Sequence, residues 1–225
     1  MNSKNIFVAC DVSSQKEMLN LLELIHEDIS GIKIGLQYIT QRSPEEIKEL
    51  SKFKKPIFYD GKFFDIKNTL VESVKALENL NVNYATVHLL NGLSALKATN
   101  QVAQEINLKL LGVSVLTSFS NEDLKSLGFN SNVEDQVKKL IKIAMEADLY
   151  GVICSPLEIK MIKKIAPNLK CFTPGIRMGK EKNDQKRTMT ANEAIKEGSD
   201  CLIIGRPITK GDPKKNIKNI LSSID

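Results

Sequence analysis

No two of the four cysteines in this chain stand close together: Cys10, Cys154, Cys171 and Cys201 each fall inside an apolar run. That spacing excludes a disulfide framework and a zinc-binding arrangement, and marks the four as small core hydrophobes in a reducing compartment. No apolar run approaches the ~20 residues needed to span a bilayer. Met1 to Asn5 leads directly into an apolar run without the hydrophobic region of a signal segment, so a cytoplasmic location is expected. A basic block is missing too. The net charge of +5 comes from lysines scattered along amphipathic stretches without interleaved aromatics, so neither nucleic acid nor membrane is an expected partner, whereas an anionic small molecule is. After the first apolar run stand Asp11-Val12-Ser13-Ser14 rather than a glycine-rich fingerprint, which removes the best support for a dinucleotide site. With no Pro/Gly/Ser tract to divide it, the chain is expected to be a single domain over residues 1–225.

What is present is 225 residues, 42% hydrophobic and 26% charged, enough for one large core. Eight short apolar runs alternate with eight amphipathic stretches. The runs are Ile6 to Val12, Ile32 to Leu36, Pro56 to Lys62, Tyr84 to Leu90, Leu110 to Thr117, Tyr150 to Ser155, Lys170 to Gly175 and Cys201 to Arg206. Near-continuous apolarity over such lengths predicts strands buried on both faces. Between them the period is helical: Val133, Val137, Leu140, Ile141 and Ala144 form one stripe, Leu19, Leu22 and Ile25 another. Ser43-Pro44-Glu45-Glu46, Ser155-Pro156-Leu157-Glu158 and Thr190 with Glu193 carry capping-box signals, and Gly198 a stop. Eight βα units in a chain of this length predict an α/β fold of the (β/α)8 TIM-barrel class; an open doubly wound sheet is the alternative.

Chemistry in such a barrel belongs at the C-terminal ends of the strands. The polar residues there are Asp11, Lys33, Asp60, Lys62, His88, Thr117 and Ser118, then Thr173 to Arg177, then Gly205 and Arg206. Alternation along a strand points Asp60 and Lys62 the same way, with Asp65 past the strand end. Asp-x-Lys-x-x-Asp reads as a surface ion-pair network when alone. Two lysines and two aspartates converging on one barrel mouth, where strand interiors should be apolar, favour a functional array. Ile203-Ile204-Gly205-Arg206 ends a buried strand with a glycine beside a guanidinium, which suits a phosphate, and Arg177 supplies a second contact from the neighbouring loop. Met178 to Thr188 has no hydrophobic period and reads as a surface loop, placed where a lid over the phosphate would lie.

These residues resemble the orotidine 5'-phosphate decarboxylase family over nearly the whole chain. The signature Asp-x-Lys-x-x-Asp-Ile-x-Asn-Thr is met by Asp60, Lys62, Asp65, Ile66, Asn68 and Thr69. Leu116-Thr117-Ser118, Thr173 to Arg177, Asp184-Gln185 and Gly205 to Thr209 match four further elements in order. The resemblance implies decarboxylation of orotidine 5'-phosphate to UMP without metal or organic cofactor. It implies that Lys62 protonates C6 as CO2 leaves, while Asp60 and Asp65 flank it against the substrate carboxylate. Lys33 joins this array and contacts the ribose, whose hydroxyls Asp11 holds. Thr117 and Ser118 meet the pyrimidine, and Arg177, Gln185, Gly205 and Arg206 bind the phosphate. Asp65 and Thr69 reach into a partner's site, which implies a homodimer.

Three positions depart from the family's habit: Phe64 where histidine is common, Lys67 where proline or a small residue is common, and Asn91 where glycine is frequent. His88 reads as a structural or interface residue and His26 as a surface one. Related barrels with Asp-x-Lys-x-x-Asp act on sugar phosphates with Mg²⁺; the Ile-x-Asn-Thr continuation and Asp184-Gln185 argue against that reading. A non-catalytic phosphate-binding barrel is the other alternative, against which stand Lys62 and Asp65.

Overall fold

The computed structural model describes residues 5–177 and 187–224. Eight parallel strands close into a barrel: β1 (Ile6–Ala9), β2 (Gly31–Gly35), β3 (Ile57–Phe63), β4 (Tyr84–His88), β5 (Lys109–Val113), β6 (Gly151–Ile153), β7 (Lys170–Thr173) and β8 (Cys201–Ile204). Each pairs with its successor, and β8 returns to β1 through Ile6↔Leu202, Phe7↔Ile203 and Val8↔Ile204. The main helices between and after them are α1 (Gln15–Ile25), α2 (Pro44–Glu49), α3 (Lys67–Lys75), α4 (Leu93–Glu105), α5 (Val133–Glu146), α6 (Ile159–Ile165), α7 (Ala191–Lys196) and α8 (Pro213–Ile224). This is the (β/α)8 barrel, and the open doubly wound sheet is excluded by the β1–β8 pairing.

The strands are apolar on both faces because each face meets a different core. Ile6, Val8 and Cys10 pack outward among helix residues such as Leu22, Ile25, Ile217 and Ile220. Phe7, Ala9, Phe58, Leu111, Phe172, Cys201 and Ile203 fill the barrel interior. There, the Phe7 ring packs edge-on against Phe58 at 6.3 Å and Phe172 at 6.0 Å between centroids. A Cβ on Gly31 would stand 2.2 Å from Phe7 Cε1, so the neighbouring strand must carry glycine for this ring to fit. Aromatic filling thus plugs the barrel below the level of the charged residues. All four cysteines are buried and free.

The capping signals form as expected. Ser43 and Glu46 exchange reciprocal bonds at the start of α2, as do Thr190 and Glu193 at α7, while Ser155 and Glu158 cap a single 3₁₀ turn that leads into α6. Gly198, with φ +102°, follows α7. The strand ends differ from the sequence expectation. β1 stops at Ala9, β5 at Val113, β6 at Ile153 and β8 at Ile204, short of the expected ends, although the residues after three of them still give a single bond to the neighbouring strand: Cys10 N–H to Lys33 O at 2.9 Å, Ser114 N–H to Ile153 O at 3.3 Å and Cys154 N–H to Phe172 O at 3.2 Å. Arg206 opens a one-turn helix (Arg206–Thr209), and β7 yields after Thr173 to Pro174, which has no N–H to donate, and Gly175 with φ +85°. Ile176–Arg177 then pairs in parallel with Met189–Thr190 as a separate two-stranded ribbon.

Candidate active site

Lys33 on β2, Asp60 on β3 and Thr86 on β4 point into the barrel one level above the aromatic plug, and all three are buried. Asp60 is the centre of the group. Its Oδ2 lies 2.8 Å from Lys62 Nζ and 3.3 Å from Lys33 Nζ, and its Oδ1 accepts the Thr86 hydroxyl at 2.9 Å. Lys33 Nζ also lies 3.6 Å from Asp11 Oδ1. Burial would push the Asp60 carboxyl up, but the Lys33 and Lys62 ammoniums and the bonds from Lys62 and Thr86 outweigh it, so its pKa is lowered. Burial likewise works against the Lys33 ammonium, yet Asp60 and Asp11 overcome it and its pKa is raised. Both groups are therefore charged at neutral pH. Gly35 leaves room for this pairing: a Cβ there would stand 2.9 Å from Asp11 Oδ1 and 3.1 Å from Lys33 Nζ.

Lys62 reaches Asp60, but not by the simple alternation of a regular strand. Between β3 and β4 the register steps from Tyr59↔Ala85 to Phe63↔Val87, a bulge of two extra residues on β3. Lys62 sits within it in the left-handed region, φ +48°, and its N–H donates to Thr86 Oγ1 at 2.9 Å. A non-glycine residue there carries strain that surrounding contacts must hold.

A cavity of about 520 Å³ opens over this array. Of the residues singled out in the sequence, Asp11, Lys33, Asp60, Lys62, Thr117, Arg177, Gly205 and Arg206 line it. Arg177 follows β7, four strands round the barrel from β3, on the opposite side of the cavity from Asp60 and Lys62, while Arg206 follows β8, the strand next to β1 and Asp11. Ser118 is exposed and outside the lining, and so are Asp65 and Thr69. Gln185 and Asp184 lie outside the described residues, as does most of the expected loop.

Asn91, the departure from glycine, has a definite task. Its Nδ2 donates to Phe63 O at 2.9 Å and His88 O at 2.8 Å, and its Oδ1 accepts the Asp65 N–H at 3.1 Å. It fastens the segment after Lys62 to the end of β4. Phe64 packs on the His88 ring at 5.7 Å, where burial and then the Lys62 charge lower the His88 pKa; the imidazole is neutral at pH 7 and takes no place in the array. His26 is partly buried against Phe53 and bonds Leu22 O through Nδ1 at 2.9 Å, so it is less exposed than expected.

Sequence reasoning passed over Thr86, Gln37 and Lys210, which line or brace the cavity, and the Arg187–Glu158 ion pair beside it. Thr86 stands in an apolar strand and looked like core. Arg187 stood in a polar stretch read as loop; the one hint of its partner was the capping glutamate at Glu158.

Residues 4–220 match the family model described as "Orotidine 5'-phosphate decarboxylase / HUMPS family". A Wolbachia pipientis (subsp. Culex pipiens) protein named orotidine 5'-phosphate decarboxylase is 38% identical over 221 residues, covering 97% of this chain and 98% of that one. The Lawsonia intracellularis protein of the same name is 37% identical with the same coverage. Among solved structures, orotidine 5'-phosphate decarboxylase from Lactobacillus acidophilus superposes with a TM-score of 0.86 at 30% identity, covering 99% of both chains. An uncharacterized conserved protein from Geobacillus kaustophilus, 23% identical with a TM-score of 0.85, shares the fold. With barrel, charged array and full-length relatives in agreement, the chain belongs to the orotidine 5'-phosphate decarboxylase / HUMPS family.

Proposed function

We propose that this chain converts orotidine 5'-phosphate to UMP and CO2 without a cofactor, with Lys62 as the proton donor. The observation that carries the reading is the Asp60 carboxylate held between Lys62 Nζ at 2.8 Å and Lys33 Nζ at 3.3 Å, at the floor of a cavity that Arg177 and Arg206 also line. A phosphate on these guanidinium groups places the pyrimidine over the array. The C6–carboxylate bond breaks with its electron pair left on C6, CO2 departs, and the Lys62 ammonium gives its proton to C6. The neutral amine regains a proton from solvent. The ammonium is already fixed by Asp60, so it stabilises developing negative charge with little reorganisation. In this reading Lys33 and Asp11 serve the ribose, Thr117 the pyrimidine, and Arg177, Gly205 and Arg206 the phosphate, all of them cavity-lining residues; the family resemblance adds Ser118 for the pyrimidine and Gln185 for the phosphate.

The working unit in this reading is a homodimer in which Asp65 and Thr69 complete the partner's site. Both are exposed and outside their own cavity, and between them Ile66 is 73% exposed, with Phe64 beside Asp65 at 62%. Such an apolar surface suits a protein interface. Four buried free thiols and the absence, among the described residues, of a helix long and apolar enough to cross a membrane support a cytoplasmic site of action.

The test follows loss of orotidine 5'-phosphate absorbance with EDTA-treated protein. Conversion to UMP supports the whole reading. Conversion only after Mg²⁺ is restored contradicts the cofactor-free part, and no conversion by a folded dimer overturns the assignment.

A further inference from the structure

We propose that Arg187 is a positioning residue for this reaction: seated on Glu158, its guanidinium holds the Leu116–Thr117 wall of the cavity in place against the pyrimidine. The inference rests on the decarboxylase reading above. Arg187 stands two residues before Met189–Thr190, the strand that pairs with Ile176–Arg177. One guanidinium nitrogen, Nη1, bonds Glu158 Oε1; the other, Nη2, donates to Leu116 O at 2.9 Å and to Val115 O at 3.4 Å. The seat is itself fixed, because Glu158 Oε2 accepts the Ser155 N–H at 2.9 Å. Both side chains are largely removed from solvent, with 14% of Arg187 and 6% of Glu158 exposed.

Three consecutive βα loops therefore meet at one group: the loop after β5 through two carbonyls, the loop after β6 through Glu158, and the ribbon after β7 through Arg187 itself. Val115, Leu116 and Thr117 line the cavity, as does Arg177 on the ribbon. Val113 ends β5, so these wall residues have no ladder of their own. A planar fork with donors on two sides can hold a carboxylate and a carbonyl edge together; a lysine offers a point charge on a flexible stem and cannot do both in one fixed geometry. Arg187→Lys thus keeps the charge partner of buried Glu158 while releasing the wall.

The experiment measures turnover of orotidine 5'-phosphate, competitive inhibition by UMP and by uridine, and thermal unfolding for wild type, Arg187→Lys and Arg187→Ala. Arg187→Lys is expected to unfold at the wild-type temperature yet lose kcat/KM on the order of tenfold, and Arg187→Ala about a hundredfold, since small misplacements at a site carry such factors. The inhibition constants for UMP and uridine should rise by the same factor, because the wall contacts the base they share. Wild-type kinetics in Arg187→Lys would overturn the proposal, and so would a rise confined to UMP, which would put the effect at the phosphate end. If Arg187→Lys does not fold, Glu158→Gln, which weakens the seat at constant volume, must give the same paired rise or the proposal fails. A wild-type protein that leaves orotidine 5'-phosphate unconverted instead refutes the underlying decarboxylase reading, so the two failures are distinct.

Discussion

The Thr86 hydroxyl accepts a hydrogen bond from the Lys62 backbone N–H at 2.9 Å and donates one to Asp60 Oδ1 at 2.9 Å. One side chain from β4 therefore braces both the left-handed backbone of the proposed proton donor and the carboxylate that orients its ammonium. Thr86→Val keeps the shape and removes both bonds, leaving the part-buried Lys62 N–H without this acceptor and the buried Asp60 Oδ1 without this donor. The expected loss is about 1–3 kcal/mol of stability in urea unfolding, with a fall in kcat exceeding any rise in KM. Thr86→Ser, which retains the hydroxyl, should recover most of the rate.

Charge in the array gives a defined pH range. Asp60 is held below the ordinary aspartate value of 3.8, so its contribution is present above that value and lost as pH falls through the folded pKa. Lys33 is held above the ordinary 10.5, so its contribution is complete below that value and lost as pH rises through its folded pKa. The stability difference between wild type and Lys33→Met should therefore be flat from about pH 5 to 9 and shrink only outside that range. A slope across neutrality in the difference between the two urea-unfolding curves would show that the assigned charge states are wrong.

Removing the proposed proton donor should separate chemistry from binding. In Lys62→Ala, Asp60 keeps Lys33 at 3.3 Å and Thr86 at 2.9 Å, so the cavity floor stays paired. Turnover is expected to vanish while UMP still binds by calorimetry. Residual activity near wild type would end the assignment of Lys62.

Arg206 lines the cavity and is exposed, so its loss should cost little stability. Arg206→Ala is expected to raise KM for orotidine 5'-phosphate and leave inhibition by uridine, which has no phosphate, unchanged. Equal effects on both would move Arg206 away from the phosphate.

Barrel and charged array were legible for a common reason: both are written in local residue choice. Strands such as Ile6–Ala9 need apolar residues on two faces, and Asp60-x-Lys62 carries its chemistry within three consecutive residues. What escaped depends on where separate segments meet. Lys62 finds Asp60 through a bulge set by pairing with β4, which no periodicity in residues 56–62 displays. Thr86 resembles any β-branched strand residue until Asp60 is seen beside it. Arg187 and Glu158 lie 29 positions apart, each with an ordinary local explanation, and the pairing exists only because the barrel brings their loops together.

Asp65 poses the sharpest question, since it is exposed while Asp60 and Lys62 of the same motif face the cavity. Asn91 holds its N–H at 3.1 Å, fixing the segment rather than letting it fold back on its own site. If each centre takes Asp65 from the partner, Lys62→Ala and Asp65→Ala should both be nearly inactive alone. Exchanged subunits would then form mixed dimers in which one centre holds Lys62 from one chain and Asp65 from the other. Statistical exchange predicts recovery of about a quarter of wild-type activity, because half the dimers are mixed and each has one intact centre of its two. The measurement is specific activity after unfolding and refolding the two variants together, against each refolded alone. No recovery, with mixed dimers present by native mass spectrometry, would mean that each subunit completes its own centre.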